Sequence, residues 1–256
     1  MIRITGVRKS NMSATPTVQT TAPGHYPRRS QLYRRHVSAG ARFEEVDGST
    51  VVAAYADTDD EVNRAIHLAL VDLSTLPRVG FKGTGAPVWL EEQGAQLPGF
   101  PNQAARQKDG SVIARLSTNE LLILSDPFSD STLAAILQDK WSLESTKSVY
   151  SLPRSDSHCW LALTGNHAPA TLAKVCGVDM RTDKFAEHDV AQTSLARINA
   201  IVIRNDLTTT PCFFILSDVS CAEYLWDVLL DAMVEHHGCP VGITALRSLE
   251  KEPGRL

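Results

Sequence analysis

An internal repeat is the feature that most constrains the fold of this chain. The segments "FKGTGAPVWLEEQG" (81–94) and "LTGNHAPATLAKVCG" (163–177) share the pattern G-x-x-A-P-x-x-L, with matching residues 82 positions apart. Downstream, "LLILSDPFSDSTLAAIL" and "FFILSDVSCAEYLWDVL" share I-L-S-D and two leucines at an offset of 92. We therefore predict an α+β fold with duplicated β-α-β-β-α halves, at about residues 72–147 and 148–240.

The first repeat segment also has the outline of a phosphate-binding loop. A Walker loop needs G-x-x-x-x-G-K-[ST] and a dinucleotide loop needs G-x-G-x-x-G. Here Gly83 and Gly85 are followed by Ala86 and Pro87, and the second copy keeps only Gly165. Proline suits the first turn of a helix, where its missing N–H has no intrahelical partner in any case. We interpret the glycines as turn residues.

The N-terminal segment differs from the rest of the chain in charge and composition. Residues 1–42 contain eight Lys and Arg, no Asp or Glu, and few large aliphatic residues. Such a segment buries too little apolar surface to offset its ordering entropy. We expect a disordered basic arm over residues 1–40, a folded domain over 41–247 and a tail over 248–256. The acidic remainder of the chain would repel phosphate, so we expect no nucleic-acid partner.

Cysteine usage and hydropathy bear on localisation. The five cysteines are spread out and form no C-x-x-C pair, which suits reduced thiols, and we expect a cytoplasmic protein. The alternative is an organelle, because the Arg-, Ser- and Thr-rich N-terminus resembles a transit peptide. No window approaches eighteen apolar residues, so we expect no membrane span and no membrane partner.

Three local patterns lie outside the repeat. Asp47-Gly48 predicts a tight hairpin between short strands. The segment "DTDDEVNRAIHLALVDLS" (57–74) predicts a helix with Val62 and Leu70 on its apolar face. His236, His237 and Cys239 are not expected to bind a metal ion, because adjacent residues of a helix point about 100° apart.

The segment "ARFEEVDGSTVVAAYADTDDEVNRAIHLALVDLSTLPRVGFKGTGA" (41–86) contains F-E-x-x-x-G, an acidic helix, D-L-S, a strand and a G-x-x-A turn. It resembles the opening of the folate-binding domain of the glycine-cleavage T-protein, an aminomethyltransferase. Residues 148–240 include "WLALTGNHAPATLAKVCGVDMRTDKF" and "CAEYLWDVLLDAMVEHHG". They resemble the gamma subunit of heterotetrameric sarcosine oxidase. The similarity covers roughly residues 41–240 and implies the fold of that folate-binding domain.

The resemblance also implies which positions would handle folate. Without a gap, the T-protein aspartate that follows the strand matching "ELLILSD" falls on Thr132, and Asp130 lies two residues away. The signature R-x-G-Y-T-G-E-x-G-F-E-I appears as "RNDLTTTPCFFI" (204–215), which retains Arg204 and has Thr210 in place of the pterin-binding glutamate. Threonine cannot hold the paired N–H groups of a pterin as an ionised carboxylate does. Asp130, Arg204 and Thr210 are therefore weak folate-pocket candidates.

These substitutions favour a family scaffold that has lost its catalytic site. We hypothesise a non-catalytic, gamma-like subunit of a flavin-dependent N-methyl amine oxidase linked to tetrahydrofolate metabolism. The flavin would lie on other subunits of the hetero-oligomer, and no cofactor would be covalently bound to this chain. Tyr224 and Trp226 are candidates for contact with those flavoprotein subunits, although aromatic residues on an apolar helical stripe also suit a core.

Two alternatives remain. In the first, the chain would be a stand-alone folate-binding protein or an aminomethyltransferase-like enzyme in which Asp130 takes the role of the missing aspartate. In the second, it would be a structural binding module outside one-carbon metabolism, since fold does not determine function.

Overall fold

The computed structural model describes residues 28–46, 48–128, 131–144 and 146–250. The helices of this part of the chain are α1 Tyr33–Ser38, α2 Thr58–His67, α3 Ala86–Glu92, α4 Leu133–Lys140, α5 Arg154–Ser157, α6 Ala168–Val175, α7 Ala222–Met233 and α8 Ile243–Glu250. The strands are β1 Arg42–Val46, β2 Ser49–Ala54, β3 Ala69–Asp72, β4 Arg78–Lys82, β5 Gln103–Arg106, β6 Val112–Ser117, β7 Glu120–Leu124, β8 Tyr150–Leu152, β9 His158–Thr164, β10 Val190–Leu195, β11 Ile198–Arg204, β12 Cys212–Asp218 and β13 Cys239–Pro240.

The two halves have the same element order and the same strand pairing. The first half runs β4-α3-β5-β6-β7-α4 and the second runs β9-α6-β10-β11-β12-α7. Within a sheet the first half is ordered β5-β6-β7-β4 and the second β10-β11-β12-β9. The α+β class and the duplication are confirmed. The predicted unit lacked one strand, because β5 and β10 are short edge strands with weak apolar patterns.

The halves exchange the strand that precedes each of them. Strand β3 comes before the first half but pairs with β9 of the second, and β8 comes before the second half but pairs with β4 of the first. The resulting sheets have the orders β10-β11-β12-β9-β3-β13 and β5-β6-β7-β4-β8. The strand that precedes each half therefore belongs to the sheet of the other half.

The repeat glycines allow this exchange. Gly83 has a φ of +131° and Gly165 a φ of +117°, values that side chains rarely adopt. A Cβ atom on Gly83 would lie 2.1 Å from the carbonyl oxygen of Ser148, just before β8. A Cβ atom on Gly165 would lie 2.5 Å from the carbonyl oxygen of His67, just before β3. The glycines thus serve close backbone contact at a turn.

The two sheets pack face to face between outer helices, in the order helix, sheet, sheet, helix. Alternate residues of each strand enter different cores, as the two-residue period of a strand requires. In β9, Trp160 and Ala162 enter the core between the sheets, whereas Leu161 and Leu163 contact the core beneath α6 and α7. In β7, Leu122 faces the other sheet. The openings at the ends of this sandwich are therefore the places where polar groups from both halves meet.

The predicted N-terminal boundary at residue 40 is wrong for residues 28–40. Helix α1 packs on the second half, with Leu32 and His36 buried. Arg35 pairs with Glu223 and Asp227 of α7 at 3.3 and 2.8 Å. The low hydrophobicity of the arm hid these few anchoring side chains. Residues 1–27 lie outside the described residues, so the predicted disorder there stays a prediction.

Two further boundaries differ from the sequence prediction. Helix α8 extends through residues 248–250, which were assigned to a tail, and buries Leu249. The helix predicted over 57–74 ends at His67, and Leu70 lies in β3. Strand β3 is buried along its whole length, and a short run of apolar residues cannot be assigned by periodicity alone. The hairpin of β1 and β2 is confirmed, although Asp47 of its turn lies outside the described residues.

Candidate functional site

Arg204, the retained arginine of the folate signature, lies at the end of β11 and binds its own loop. Its Nη2 atom lies 2.6 Å from Asp206 Oδ2, and its Nε donates to the same carboxylate at 3.0 Å. Its Nη1 donates to the carbonyl oxygens of Thr182, at 2.9 Å, and Phe185. Hydrogen bonding to Asp206 raises the pKa of Arg204 above its ordinary value. The guanidinium is therefore committed to local contacts.

Thr210, at the position of the pterin-binding glutamate, is buried in the loop between β11 and β12. Its N–H donates to the carbonyl oxygen of Leu207, and the N–H of Leu207 donates back to Thr210, each at 2.9 Å. Thr208, with a φ of +57°, donates from Oγ1 to the carbonyl oxygen of Leu249 in α8 at 3.0 Å. The loop is thus closed on itself and covered by α8.

Helix α8 also reaches the segment that follows β7. Arg247 donates from Nε to the carbonyl oxygen of Pro127 at 3.4 Å and pairs through Nη1 with Glu44. Leu246 and Leu249 enter the core between the sheets. We call the gap between residues 125–128 and residues 205–211 the first opening of the sandwich. Arg204 and Thr210 border this opening, and α8 covers it.

Asp130, the substitute for the missing aspartate, lies outside the described residues. A different carboxylate, Asp109 in the β5–β6 loop, lies at the start of α4. Its Oδ2 accepts hydrogen bonds from the N–H of Leu133 at 3.1 Å and from Ser131 Oγ at 3.0 Å. Burial opposes ionisation of Asp109, but these bonds and those from Ser111 hold its pKa below the ordinary value. Asp109 therefore acts as a cap for α4.

A cavity of about 270 Å³ adjoins Asp109, with Thr132 and Ile136 in its wall. This volume lies just below the range of about 300–1,000 Å³ found for small-molecule sites. Sequence reasoning missed Asp109 because it belongs to a loop more than twenty residues before the expected position. The Asp109-Gly110 dipeptide indicates a turn but no function.

The structure separates the two aromatic residues proposed for partner contact. Trp226 is buried, with its ring 5.1 Å from that of His36 in an edge-to-face arrangement, so its prediction as a surface contact is wrong. Tyr224 is 48% exposed, and its hydroxyl donates to the carbonyl oxygen of Ala196 at 2.9 Å. Helix α1 covers Trp226, and this contact was unforeseen because residues 28–40 were expected to be disordered.

A buried polar network joins α1 to the strands. His36 Nε2 lies 2.9 Å from Asp72 Oδ2, and His36 Nδ1 lies 2.7 Å from the Tyr55 hydroxyl. Asp72 also accepts hydrogen bonds from Ser30 Oγ and from the N–H of Ser74. Burial would raise the pKa of Asp72, but His36, Ser30 and Ser74 hold it below its ordinary value. With little open space around it, the network anchors α1.

His236, which follows α7, packs against histidines of other segments. The ring of His236 stacks on His167 with centroids 4.3 Å apart, and His167 lies 4.5 Å from His67. Within the ranges that the structure describes, no group of three or more His, Cys, Asp or Glu side chains has the geometry of a metal site. Nor does any described helix have the length and hydropathy of a membrane span.

This duplicated sandwich defines the class of the protein as a domain of the aminomethyltransferase-like, folate-binding type. Residues 32–255 match the family described as the GCVT N-terminal domain, and the chain belongs to that family. It is 23% identical to the aminomethyltransferase of Saccharopolyspora erythraea over 241 residues, which cover 89% of this chain and 64% of that protein. It is 23% identical to the aminomethyltransferase of Thermotoga petrophila over 85% of this chain and 62% of that protein. The chain thus spans less than two thirds of the length of these relatives.

Two solved structures share the fold. The aminomethyltransferase T of the glycine cleavage system from Bartonella henselae superposes with a TM-score of 0.68 and 21% identity, over 90% of this chain and 63% of that chain. A chain of the heterotetrameric sarcosine oxidase from Corynebacterium sp. U-96, in complex with pyrrole 2-carboxylate, superposes with a TM-score of 0.57 and 22% identity. That match covers 70% of this chain and 92% of the oxidase chain.

Proposed function

We propose that this protein is a non-catalytic subunit of a flavin-dependent oxidase of N-methyl amines that is linked to tetrahydrofolate. The flavin and the groups that oxidise the amine lie on partner chains, and this chain supplies a structural surface to the hetero-oligomer. The fold is compatible with this role, because a chain of a heterotetrameric sarcosine oxidase matches it over 92% of that chain's length.

The contacts made by the residues at the first opening are the main support for this proposal. A folate site there needs a carboxylate that accepts the paired N–H groups of the pterin ring. Thr210 is buried and paired to Leu207 in its place, and Arg204 is held by Asp206. Helix α8 then covers the loop through the bond from Thr208 to Leu249. These contacts occupy the positions that the family signature would offer to folate.

Purification of the tagged full chain from its native cells tests the assignment. We expect it to co-purify in fixed ratio with a flavoprotein whose oxidised flavin absorbance is bleached by sarcosine under anaerobic conditions. The Arg34→Ala variant, altered at an exposed position, is the control for nonspecific loss of assembly. A chain that purifies alone, without flavin, and that transfers aminomethyl groups to tetrahydrofolate would refute the proposal.

One observation favours a second candidate, a folate-binding or aminomethyltransferase-like protein. The cavity beside Asp109 has Thr132, the ungapped match to the T-protein aspartate, in its wall, so a ligand there would meet the Asp109 carboxylate. This candidate requires folate binding that depends on Asp130. Calorimetry of the Asp130→Ala variant distinguishes it from the subunit role.

A further inference from the structure

The duplication produces a second opening at the other end of the sandwich. The offset of 92 relates Asp126, just after β7, to Asp218, the last residue of β12. The shared strand order likewise relates the loop 205–211 to the β6–β7 turn at residues 118–119. The second opening therefore lies between Asp218 and the start of β7. Along β11 it is about 20 Å from Arg204, at a strand rise of about 3.3 Å per residue.

Side chains from both halves meet at the second opening. Arg154 donates from Nη2 to Glu120 of β7 and from Nη1 to His158 Nε2 of β9, the latter at 3.1 Å. Gln192 of β10 donates to the carbonyl oxygen of Leu116 in β6 at 2.6 Å. This end contains a groove of about 840 Å³. Its volume lies within the range of small-molecule sites.

The groove has an apolar floor and polar walls. Partly buried Ile201 forms the floor, with fully buried Leu216 beneath it in the core between the sheets. On one wall, Asp218 is held by hydrogen bonds from the N–H of Ser220 at 2.9 Å and from Ser220 Oγ at 2.6 Å. On the same side, burial and the charges of Arg154 and Arg78 lower the pKa of His158 to about 4. Its imidazole is therefore neutral near pH 7.

The tautomer of His158 follows from its neighbours. A guanidinium only donates hydrogen bonds, so the Nε2 atom that faces Arg154 accepts, and Nδ1 carries the proton toward Ser157 Oγ at 2.8 Å. The His158 side chain thus presents no charge to the groove. Arg197 is then the cation among the side chains that line it.

Arg197 is held at the rim by a strained turn. Ala196 and Arg197 join β10 to β11 with φ values of +50° and +66°, although neither is glycine or asparagine. The Tyr224 hydroxyl bonds to the carbonyl oxygen of Ala196 and fixes this turn to α7. Within the described residues, Arg197 has no carboxylate partner within ion-pair distance. Strained backbone of this kind is concentrated at ligand sites and switches.

We propose that the second opening binds an organic anion with an apolar body. Its acidic group pairs with Arg197, its apolar body covers Ile201, and a polar edge reaches the side-chain amide of Asn199. Arg197 contacts the ligand directly, and Tyr224 is a positioning residue that holds the turn. This inference does not depend on the subunit role, because it concerns the opposite end of the sandwich from Arg204 and Thr210.

A pair of fluorescent probes tests the proposal on the full chain. Anilinonaphthalene sulfonate and N-phenylnaphthylamine have the same rings, but only the first is anionic. We expect the wild-type protein to bind the sulfonate about tenfold more tightly than the neutral probe, as one pairing of this kind provides. The Arg197→Gln variant should lose that preference and keep its affinity for the neutral probe. Arg181→Gln, at an exposed position, removes the same charge and should change neither value.

Two further measurements address the turn and the location of the site. Tyr224→Phe keeps the ring but not the hydroxyl, so it should lower the preference for the sulfonate while the variant retains its circular dichroism spectrum. Cys221 lines the groove, whereas Cys239 lies elsewhere and is also partly exposed. Saturating sulfonate should slow alkylation of Cys221 by iodoacetamide but not that of Cys239. An unchanged preference in Arg197→Gln, or alkylation of Cys221 at an unchanged rate, would overturn the proposal.

Discussion

Removal of the His36 side chain tests whether α1 belongs to the folded domain. In the His36→Ala variant, Asp72 keeps its hydrogen bonds from Ser30 and Ser74 but loses the partner that lies 2.9 Å away. Removing one partner of a buried, hydrogen-bonded carboxylate costs about 3–5 kcal/mol, because its charge stays buried with less compensation. The edge contact between His36 and Trp226 is lost as well. The expected loss is thus a large share of a total stability of about 5–15 kcal/mol.

Urea unfolding followed by tryptophan fluorescence measures this loss. In a thermal scan, a chain of this size loses about 2–4 °C of melting temperature per kcal/mol of lost stability, so the melting temperature should fall by about 6–20 °C. Arg34→Ala, on the exposed face of the same helix, should change the free energy of unfolding by less than about 0.5 kcal/mol. The double variant His36→Ala, Asp72→Ala should lose less than the sum of the single variants, because no unpaired charge remains. A loss below about 1 kcal/mol for His36→Ala would refute the docking of α1.

Three other predictions concern stability. The pKa of Asp72 in the folded state lies below its ordinary value of 3.8, so the stabilisation from its carboxylate is present above pH 3.8 and is lost as the pH falls below that value. Urea curves of the wild type and Asp72→Asn should therefore converge in acid. A constant difference between them down to pH 2 would contradict this. Asp206→Ala should lower the free energy of unfolding in urea by about 3 kcal/mol, because the nearly buried Arg204 guanidinium would lose its carboxylate partner. An unchanged midpoint would argue against the pairing of Arg204 with Asp206. Gly165→Ala should lower the melting temperature, at a cost of about 1–3 kcal/mol, whereas Gly177→Ala, with open space around it, should not; equal effects would contradict the close backbone contact.

The sequence predicts the duplicated architecture well because the repeat fixes the same residues at the same turns. Gly83 and Gly165 occupy equivalent positions and have the same left-handed backbone. The exchange of β3 and β8 could not be predicted, because strand pairing depends on contacts across the fold and neither strand has a partner marked in its own sequence. Short edge strands such as β5, with half-exposed residues, also lack the alternation that identifies a strand.

The candidate sites were harder to predict, because they depend on contacts between distant segments. The signature alignment located Arg204 and Thr210, but only the structure shows Asp206 bound to the first and α8 covering the loop of the second. The second opening has no motif, since its groove arises from the symmetry of two half-domains. Trp226 was a candidate for partner contact through the resemblance of its helix to the oxidase gamma subunit, and the helix that covers it falls in a segment that was expected to be disordered.

Calorimetric titration of the full chain with tetrahydrofolate tests the central claim most directly, which is that the first opening is closed to folate. The wild type and the Asp130→Ala variant are titrated in parallel, with Arg197→Gln to identify any binding at the second opening. We predict that Asp130→Ala leaves the titration curve unchanged and that any heat of binding disappears in Arg197→Gln. Micromolar binding that Asp130→Ala abolishes would contradict it.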